Sequence, residues 1–343
     1  MATQPKSIAQ PQVSVPRFFY QQLTVKPPEI QNIDLQGKTA IITGANTGIG
    51  FEVANQLLEL ELSKLILAVR NPEKGKAAAA KLSASRRLPE GAIEVWDLDL
   101  SYYDSVVKFV ERTKTLEQID LVILNAGVAH AKRVFNEKTG HDEMVQINFI
   151  STALLAILLL PIVQAKRGSQ PNPTRITFVS SEVAAWTAFM ERESFPLLAA
   201  LDKKGKVDML DRMFVSKLLG QFFIHRLAAI VPPSVALINS ASPGSVHDSD
   251  FNREHDTTFS GAVAKIFMKR VANTAAVGSR FVTDAIINHG EETHGLFLSF
   301  TKLLASIIYT PEGGRIEEQL WSELMTEFAP FKVEEIIKSI PKQ

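Results

Sequence analysis

Short runs of consecutive apolar residues alternate with longer amphipathic segments along most of the chain. The apolar runs are predicted strands at 38–43, 65–69, 93–98, 121–124, 176–179 and 235–238, and the amphipathic segments are predicted helices at 50–60, 73–84, 143–164 and 210–230. Apolar strands that alternate with helices are typical of a parallel sheet covered on both faces. Because parallel crossovers are right-handed, we predict a doubly wound α/β sheet, a Rossmann fold with strand order 3-2-1-4-5-6.

The two ends of the chain depart from this alternation. Residues 1–36 are rich in Pro and Gln, and we predict that they form a partly disordered N-terminal arm. The side chains expected to dock this arm are Phe18, Phe19, Tyr20 and Leu23. No linker divides residues 37–343, so we expect one dinucleotide-binding domain. Beyond Phe259 the pattern predicts a helical region on the substrate side, with a seventh strand at 296–298.

Composition and charge narrow the class of protein. Of 343 residues, 45% are hydrophobic, and 37 basic residues balance 37 acidic ones, which gives no reason to expect a nucleic-acid partner. The chain has no cysteine, which excludes disulfides and Cys-ligated zinc, and we expect no metal. The apolar stretch 149–165 is shorter than the roughly 20 residues of a bilayer span. We therefore expect a buried core helix, no transmembrane segment and a cytoplasmic protein.

A glycine-rich turn joins the first predicted strand to the first predicted helix. It reads Thr-Gly-Ala-Asn-Thr-Gly-Ile-Gly from Thr43 to Gly50. Glycines let the backbone approach a pyrophosphate, and the helix N-terminus offers it free N–H groups. The alternative is an ordinary strand-to-helix turn. The predicted cofactor-binding residues here are Gly44, Asn46, Thr47, Gly48, Ile49 and Gly50.

The end of the second strand bears on the choice of dinucleotide. NAD-binding sheets place an acidic residue there to bind the ribose 2′-hydroxyl, but this strand ends in Arg70 and Asn71. A guanidinium suits a 2′-phosphate, and Lys74 adds charge nearby. We therefore predict NADP (NADPH) rather than NAD. The alternative is that Arg70 only caps a surface turn.

Several motifs, in this order and spacing, resemble those of the short-chain dehydrogenase/reductase family. They are the glycine turn, Leu-Asp-Leu at 98–100, Asn-Ala-Gly at 125–127, Asn148, Val-Ser-Ser at 179–181, Ser-Lys at 216–217 and Pro-Gly-Ser-Val at 243–246. The arm at 19–28 and the segment 291–299 resemble fungal retinol-dehydrogenase-like members. The resemblance implies secondary metabolism, a small apolar substrate, and a homodimer or homotetramer.

The resemblance also assigns further contacts to the cofactor. Asp99 would bind the adenine, and Lys217 would bind the nicotinamide ribose. The floor beneath the ribose would be Asn125, Ala126 and Gly127, and the turn beside the nicotinamide would contribute Pro243, Gly244 and Val246. The Asn-Ala-Gly segment follows the fourth strand, where ligand crevices form in such sheets.

The catalytic constellation that the resemblance implies is Asn, Ser, Tyr and Lys, and one member is missing. Asn148, Ser181 and Lys217 match it, but the tyrosine position, four residues before the lysine, is Met213. That spacing puts both side chains on one helix face. A thioether cannot donate a proton, so the active site is predicted to be atypical.

Three nearby residues are candidate substitute acids. Glu182 follows Ser181, His130 follows the Asn-Ala-Gly segment, and His247 follows the Pro-Gly turn with Asp248 beside it. For each of them the simpler interpretation is a solvated loop residue. The segment between Ser181 and Met213 contains Trp186 and several other apolar residues, and it predicts an apolar lid or an amphipathic surface helix.

Three functions are compatible with this pattern. The first is an NADP-dependent oxidoreductase that acts on a carbonyl or alcohol, with the proton supplied by Ser181, a water held by Asn148, or a histidine. The second is a non-redox cyclase or isomerase on the same scaffold, in which Met213 forms an apolar wall. The third is a catalytically inactive NADP-binding protein.

Overall fold

One sheet runs through the protein. The computed structural model describes residues 14–30, 33–84, 86–249, 251, 254, 269–300, 302–303 and 307–341. The strands are β1 (Thr39–Thr43), β2 (Lys64–Val69), β3 (Ile93–Asp97), β4 (Leu121–Leu124), β5 (Thr174–Val179), β6 (Ala236–Ala241), β7 (Phe297–Ser299) and β8 (Lys302–Leu303). Their order is β3-β2-β1-β4-β5-β6-β7-β8. The predicted order and seventh strand are confirmed, and only β8 pairs antiparallel.

Helices fill the connections between the strands. They are α1 (Val15–Thr24), α2 (Gly48–Glu59), α3 (Pro72–Ser83), α4 (Tyr103–Thr113), α5 (Glu143–Val145), α6 (Ser151–Lys166), α7 (Leu197–Leu201), α8 (Met209–Ile230), α9 (Ala275–Ile287), α10 (Pro311–Glu327) and α11 (Val333–Ser339). A π-helical turn, Gln146–Ile150, joins α5 to α6. The predicted helices are present, and α4 is an addition that the sequence pattern left unassigned.

The strands β1, β2 and β4 are mostly apolar because both faces of the sheet are buried there. Successive side chains of a strand point to opposite faces. Ile41 packs in the cluster formed with α4, α6 and α8, whereas Ile42 packs in the cluster formed with α2, α3 and α9. Both side chains are fully buried, and each such burial stabilises the fold by roughly 1.5–3 kcal/mol.

Two long helices are apolar because they belong to this core. By length and composition, Glu143–Ser169 and Met209–Ile230 could cross a membrane. Within the protein, however, 89% and 61% of their most apolar windows are buried. The predicted core helix at 149–165 is therefore found packed against the sheet. This packing accounts for the composition of both helices.

The N-terminal arm contains α1, which packs on the body through one face. Phe18 is 3% exposed, and its ring lies edge-on to Trp186 at 5.2 Å between centroids. Phe19 is partly buried, so docking through these two phenylalanines is confirmed. For Tyr20 and Leu23 the prediction is wrong, because they are 68% and 64% exposed. The helical period turns them away from the face that carries Phe18.

A buried histidine joins α10 to two surface loops. His141 Nδ1 lies 2.6 Å from Asp202 Oδ2, and Nε2 lies 3.3 Å from Glu327 Oε1. Tyr103 donates a hydrogen bond of 2.8 Å to the same Glu327 oxygen. Burial alone would lower the pKa of His141, but the two carboxylates outweigh it and raise the pKa to about 9. The imidazolium therefore ties these elements together at neutral pH.

The His141 cluster predicts a pH-dependent stability. A raised histidine pKa stabilises the fold fully below the unfolded value of about 6.5, and this stabilisation is lost as the pH rises through about 9. We expect His141→Gln to destabilise the protein more at pH 6 than at pH 10, as measured by urea unfolding. Tyr103→Phe is the control: its effect should be smaller at pH 10 by only about 0.4 kcal/mol, because burial raises the folded pKa of Tyr103 beyond this range and the unfolded phenol is half ionised there. Equal losses for His141→Gln at both pH values would contradict the assignment.

Candidate functional site

The glycine-rich turn lies at the carboxyl edge of the sheet, between β1 and α2. Gly44 and Gly48 have positive φ angles of 65° and 57°, which glycine adopts without strain. Thr47 provides no side-chain cap for α2, and the first turn of the helix contains no acidic residue. The first N–H groups of α2 are therefore free to face an anion.

The ends of β1 and β4 are tied together beside this turn. Thr43 Oγ1 accepts hydrogen bonds from the backbone N–H groups of Asn125 and Ala126, at 2.9 and 3.0 Å. Asn125 Nδ2 donates to the carbonyls of Thr43 and Gly44 at 2.9 and 3.2 Å. Sequence reasoning missed Thr43 as a structural residue of the site. The available signal was a hydroxyl at the end of an otherwise aliphatic strand.

Asn148 connects three segments of the site from within the π-helical turn. Its Oδ1 accepts from Val128 N at 2.8 Å, and its Nδ2 donates to Val128 O and to Ser216 Oγ, both at 3.0 Å. Ser216 in turn donates a 2.7 Å hydrogen bond to Met213 O. π-Helical turns are frequent at functional sites. Here the amide joins the loop after β4 to α8.

Lys217 and Met213 lie on α8 and face the ends of β4 and β5. Lys217 Nζ donates to Val179 O at 3.0 Å, and burial lowers the pKa of Lys217 to about 8. Met213 is 9% exposed and packs with Val128 and Val183 in a small apolar cluster. Val128 follows β4, and Val183 lies two residues beyond Ser181. The structure thus brings Asn148, Lys217, Met213 and the Ser181 loop together.

No tyrosine takes the place of Met213, and all four tyrosines of the chain belong to described segments. Tyr20 is exposed on α1. Tyr102 and Tyr103 stand at the start of α4, beyond β3. The ring of Tyr309 lies 5.4 Å from that of His225, on the outer side of α8. Ser181, two residues before the Val183 that packs on Met213, accepts a 3.4 Å hydrogen bond from Val183 N through its hydroxyl.

The three candidate acids differ in their surroundings. For Glu182 the interpretation as a solvated loop residue is wrong, because Glu182 is 2% exposed. It accepts 2.5 Å hydrogen bonds from Ser242 and Ser299. Burial raises the pKa of Glu182. His130 is also enclosed, because its two ring nitrogens each lie 3.0 Å from a carboxylate, that of Glu143 or Glu254. His247 lies in a partly exposed turn, where its backbone N–H donates to Asn273 O at 3.1 Å.

The residues predicted to face the adenine half lie at the ends of β2 and β3. Arg70 is exposed, and the described residues provide no ion pair for it. The turn that follows is capped by Asn71, whose side chain accepts from Lys74 N at 3.0 Å. The residue that caps this turn is therefore Asn71, not Arg70. The Asp99 carboxylate accepts from Ser101 N at 2.9 Å and so holds its own turn.

The turn after β6 is packed tightly against its neighbours. Gly244 has a φ of 69°, and its N–H donates to Ser242 Oγ at 3.0 Å. A Cβ on Gly278 of α9 would lie 2.7 Å from Val246 Cγ2 and 2.8 Å from Pro243 O. The turn therefore has a fixed position relative to α9. A cavity of about 340 Å³ elsewhere, between the arm, α2 and α9, contains none of the predicted site residues.

Comparison with known proteins identifies the family. Residues 38–191 match the family model described as short chain dehydrogenase. The chain is 41% identical over 339 residues to the short-chain dehydrogenase fogG of Aspergillus ruber, which covers 96% of this chain and 97% of that one. It is also 41% identical to the short chain dehydrogenase/reductase mfmJ of Annulohypoxylon moriforme, over 94% of each chain.

The chain belongs to the short-chain dehydrogenase family. Among solved structures, this short-chain dehydrogenase resembles the RhlG/NADP active-site complex of Pseudomonas aeruginosa, with a TM-score of 0.58, 20% identity and coverage of 78% and 95% of the two chains. It also resembles an NADPH-bound short chain oxidoreductase of Pseudomonas aeruginosa PAO1 that contains an atypical catalytic center, with a TM-score of 0.58, 18% identity and coverage of 78% and 96%. At these identities the likeness shows the fold.

The close approach at Gly50 of this short-chain dehydrogenase is testable by adding one methyl group. A Cβ at Gly50 would lie 2.5 Å from Asn125 Nδ2 and 2.7 Å from Gly44 O. Although alanine favours a helix, we expect Gly50→Ala to destabilise the protein by about 1–3 kcal/mol through overpacking. The measurement is urea unfolding.

The matched control for this substitution is Gly168→Ala. A Cβ at Gly168 meets nothing within 4 Å, so its stability should stay within about 0.5 kcal/mol of the parent value. If Gly50→Ala were as stable as Gly168→Ala, the tight packing of the glycine turn on Asn125 would be refuted.

Proposed function

We propose that this protein is an NADP-dependent oxidoreductase with an atypical active site, acting on a carbonyl or alcohol of an apolar small molecule. The observation that carries the proposal is the convergence of Asn148, Ser181 and Lys217 around Met213, beside a glycine turn whose helix N-terminus is uncapped. Membership of the short-chain dehydrogenase family favours redox chemistry. Met213 makes the site unusual.

The glycine turn and Arg70 support binding of NADP. Gly44 and Gly50 leave no room for a Cβ, and α2 offers free N–H groups to a pyrophosphate. Arg70 is an exposed guanidinium at the end of β2, the position from which a 2′-phosphate is contacted in such sheets. Asp99, Asn125–Gly127 and Pro243–Val246 would complete the cradle. When bound, the nicotinamide supplies or accepts the hydride.

In this proposal, the proton must come from a group other than residue 213. Lys217 holds the cofactor ribose, and the Ser181 hydroxyl donates a hydrogen bond to the substrate oxygen. Lys217, with a pKa of about 8, also exchanges a proton near neutral pH, as a general acid requires. Both Nδ2 hydrogens of Asn148 and one acceptor site of its Oδ1 are engaged by Val128 and Ser216, so we assign it a positioning role. His130 would first have to leave two carboxylates, which makes it a weaker candidate.

A non-redox cyclase or isomerase is the second candidate function, and the apolar surroundings of Met213 favour it. Met213 packs with Val128 and Val183, so the position of the missing phenol is part of an apolar wall. Such a wall can orient a reactive substrate, and orientation alone lowers barriers by several kcal/mol. The third candidate, an inactive NADP-binding protein, would bind the dinucleotide at these residues but catalyse neither reaction.

The substrate and setting are proposed from the relatives and from the loop after Ser181. Trp186 in this loop lies between Phe18 and Phe214, and together they give an aromatic border suited to an apolar natural product. A role in secondary metabolism is proposed from the resemblance of the arm and of residues 291–299 to fungal members of the family. We place the protein in the cytoplasm as a single catalytic domain that forms a homodimer or homotetramer.

The substitution Met213→Tyr tests the reaction class, with Met213→Phe as its control. Both variants add a ring, but only tyrosine adds an acidic hydroxyl. We expect Met213→Tyr to reduce model aromatic ketones with NADPH at least about 100-fold faster than the parent, since a positioned general acid contributes about 10²–10⁴-fold. Met213→Phe should stay at the parent rate.

The same assay separates the candidate functions. Steady NADPH oxidation by the parent, at a rate that Met213→Tyr does not increase, would show that the missing phenol does not limit the enzyme. Substrate conversion by the parent without NADPH oxidation would favour the cyclase or isomerase.

The substitution Arg70→Ala tests the dinucleotide preference. Loss of a charged hydrogen-bonding partner of the 2′-phosphate should weaken NADPH binding by about tenfold or more and leave NADH binding within about twofold. Lys81→Ala, which removes an exposed charge at the far end of α3, should change neither. The readout is isothermal titration calorimetry. Equal weakening of NADPH and NADH by Arg70→Ala would refute the role of Arg70.

A further inference from the structure

The N-terminal helix α1 contacts the edge of the candidate site, although it lies outside the segment that matches the family model. Gln22, near the end of α1, is 4% exposed. Its Oε1 accepts a 2.9 Å hydrogen bond from Ser245 N, and its Nε2 donates a 3.3 Å hydrogen bond to Ser245 O. One side chain thus bonds to both backbone groups of a residue 223 positions away, and Ser245 O accepts a second hydrogen bond, of 2.9 Å, from Asn273 N.

Gln22 and the turn after β6 are fitted to each other. A Cβ on Gly244 would lie 2.6 Å from Gln22 Oε1, so this contact requires a glycine at that position. Gly244 also has a positive φ of 69°. The positive φ of Gly244 and its lack of a Cβ therefore both allow the amide of Gln22 to approach the turn.

Phe18 fixes the orientation of α1 from one helical turn earlier. Residues four apart share a helix face, so Phe18 and Gln22 point toward the body together. The Phe18 ring lies 5.2 Å from that of Trp186, which follows Ser181, and 5.6 Å from that of Phe300, which follows β7. The arm thus contacts two further segments at the carboxyl edge of the sheet.

The same turn is held from inside by the buried carboxyl of Glu182. Ser242 Oγ donates to Glu182 and accepts from Gly244 N at 3.0 Å, so the start of the turn is linked to the residue after Ser181. Gln22 holds the other end of the turn, at Ser245. The turn is therefore held by Glu182 through Ser242, by Asn273 and α9, and on its outer side by the arm.

We propose that Gln22 is a positioning residue for the nicotinamide half of the cofactor site, and that the arm is a structural part of that site. The inference rests on the proposed function. β6 lies on the opposite side of β1 from β2. A dinucleotide bound across the switch point therefore has one half near Arg70 and the other near the Pro243–Val246 turn. Loosening this turn should affect the nicotinamide half alone.

The test compares two ligands that share the adenine half, NADPH and 2′,5′-ADP. Gln22→Met keeps the length and apolar packing of the side chain and removes both hydrogen bonds to Ser245. We expect about tenfold weaker NADPH binding, as the loss of two hydrogen bonds predicts, with 2′,5′-ADP binding unchanged within about twofold. The dissociation constants are measured by isothermal titration calorimetry, and the melting temperature is recorded for each variant.

Two further variants complete the design. Leu23→Ala, on the exposed side of α1, should bind both ligands as the parent does. Gln22→Glu keeps an acceptor for Ser245 N but places a buried carboxylate oxygen against Ser245 O, so its NADPH affinity should fall at least as far as that of Gln22→Met. This variant also provides the comparison if Gln22→Met does not fold.

The outcomes separate the two proposals. If Gln22→Met, or Gln22→Glu in its place, binds NADPH as the parent does, the positioning role is overturned. An equal loss of both ligands overturns it as well, because that result indicates general loosening of the fold. A parent protein that binds neither ligand overturns the proposed function, and this inference with it.

Discussion

The candidate site depends on one tie between neighbouring strands, the Thr43 hydroxyl that accepts the backbone N–H groups of Asn125 and Ala126. The tie links the ends of β1 and β4. The strand order changes direction between these two strands, with β2 and β3 on one side and β5 and β6 on the other. Helices diverge to both faces at such a point and leave a crevice above it. The glycines of the turn are the residues that let backbone line this crevice.

Around that crevice several polar groups are hydrogen-bonded to one another, and the apolar side chain of Met213 lies beside them. Asn148, Ser216 and the Met213 carbonyl form a continuous set of hydrogen bonds between the π-helical turn and α8. The Met213 side chain packs with valines instead. The backbone framework of the family is therefore compatible with an apolar group at this position. Under the proposed function, the chemistry would then rest on Ser181 and Lys217.

The arm adds a second constraint, which comes from outside the sheet. A short amphipathic helix at the start of the chain supplies the acceptor for Ser245 N and, together with Asn273 N, a donor to Ser245 O. A turn whose backbone groups are satisfied by a side chain is less free to move than one satisfied by water. The position of this turn is thus set jointly by the core, through Glu182 and Ser242, and by the arm.

The sequence by itself determined the strands, their order and the glycine turn, because these depend on local periodicity and on backbone requirements that particular residues meet. The resemblance of its motifs to those of the family also implied that Asn148, Ser181, Met213 and Lys217 would converge, and the four-residue spacing placed Met213 and Lys217 on one helix face. Only the tertiary structure decided that Glu182 is buried, that Tyr20 and Leu23 face away, and that Gln22 reaches Ser245. Each of these outcomes depends on partners far away in the chain, and local pattern carries no information about which distant surface a side chain will meet.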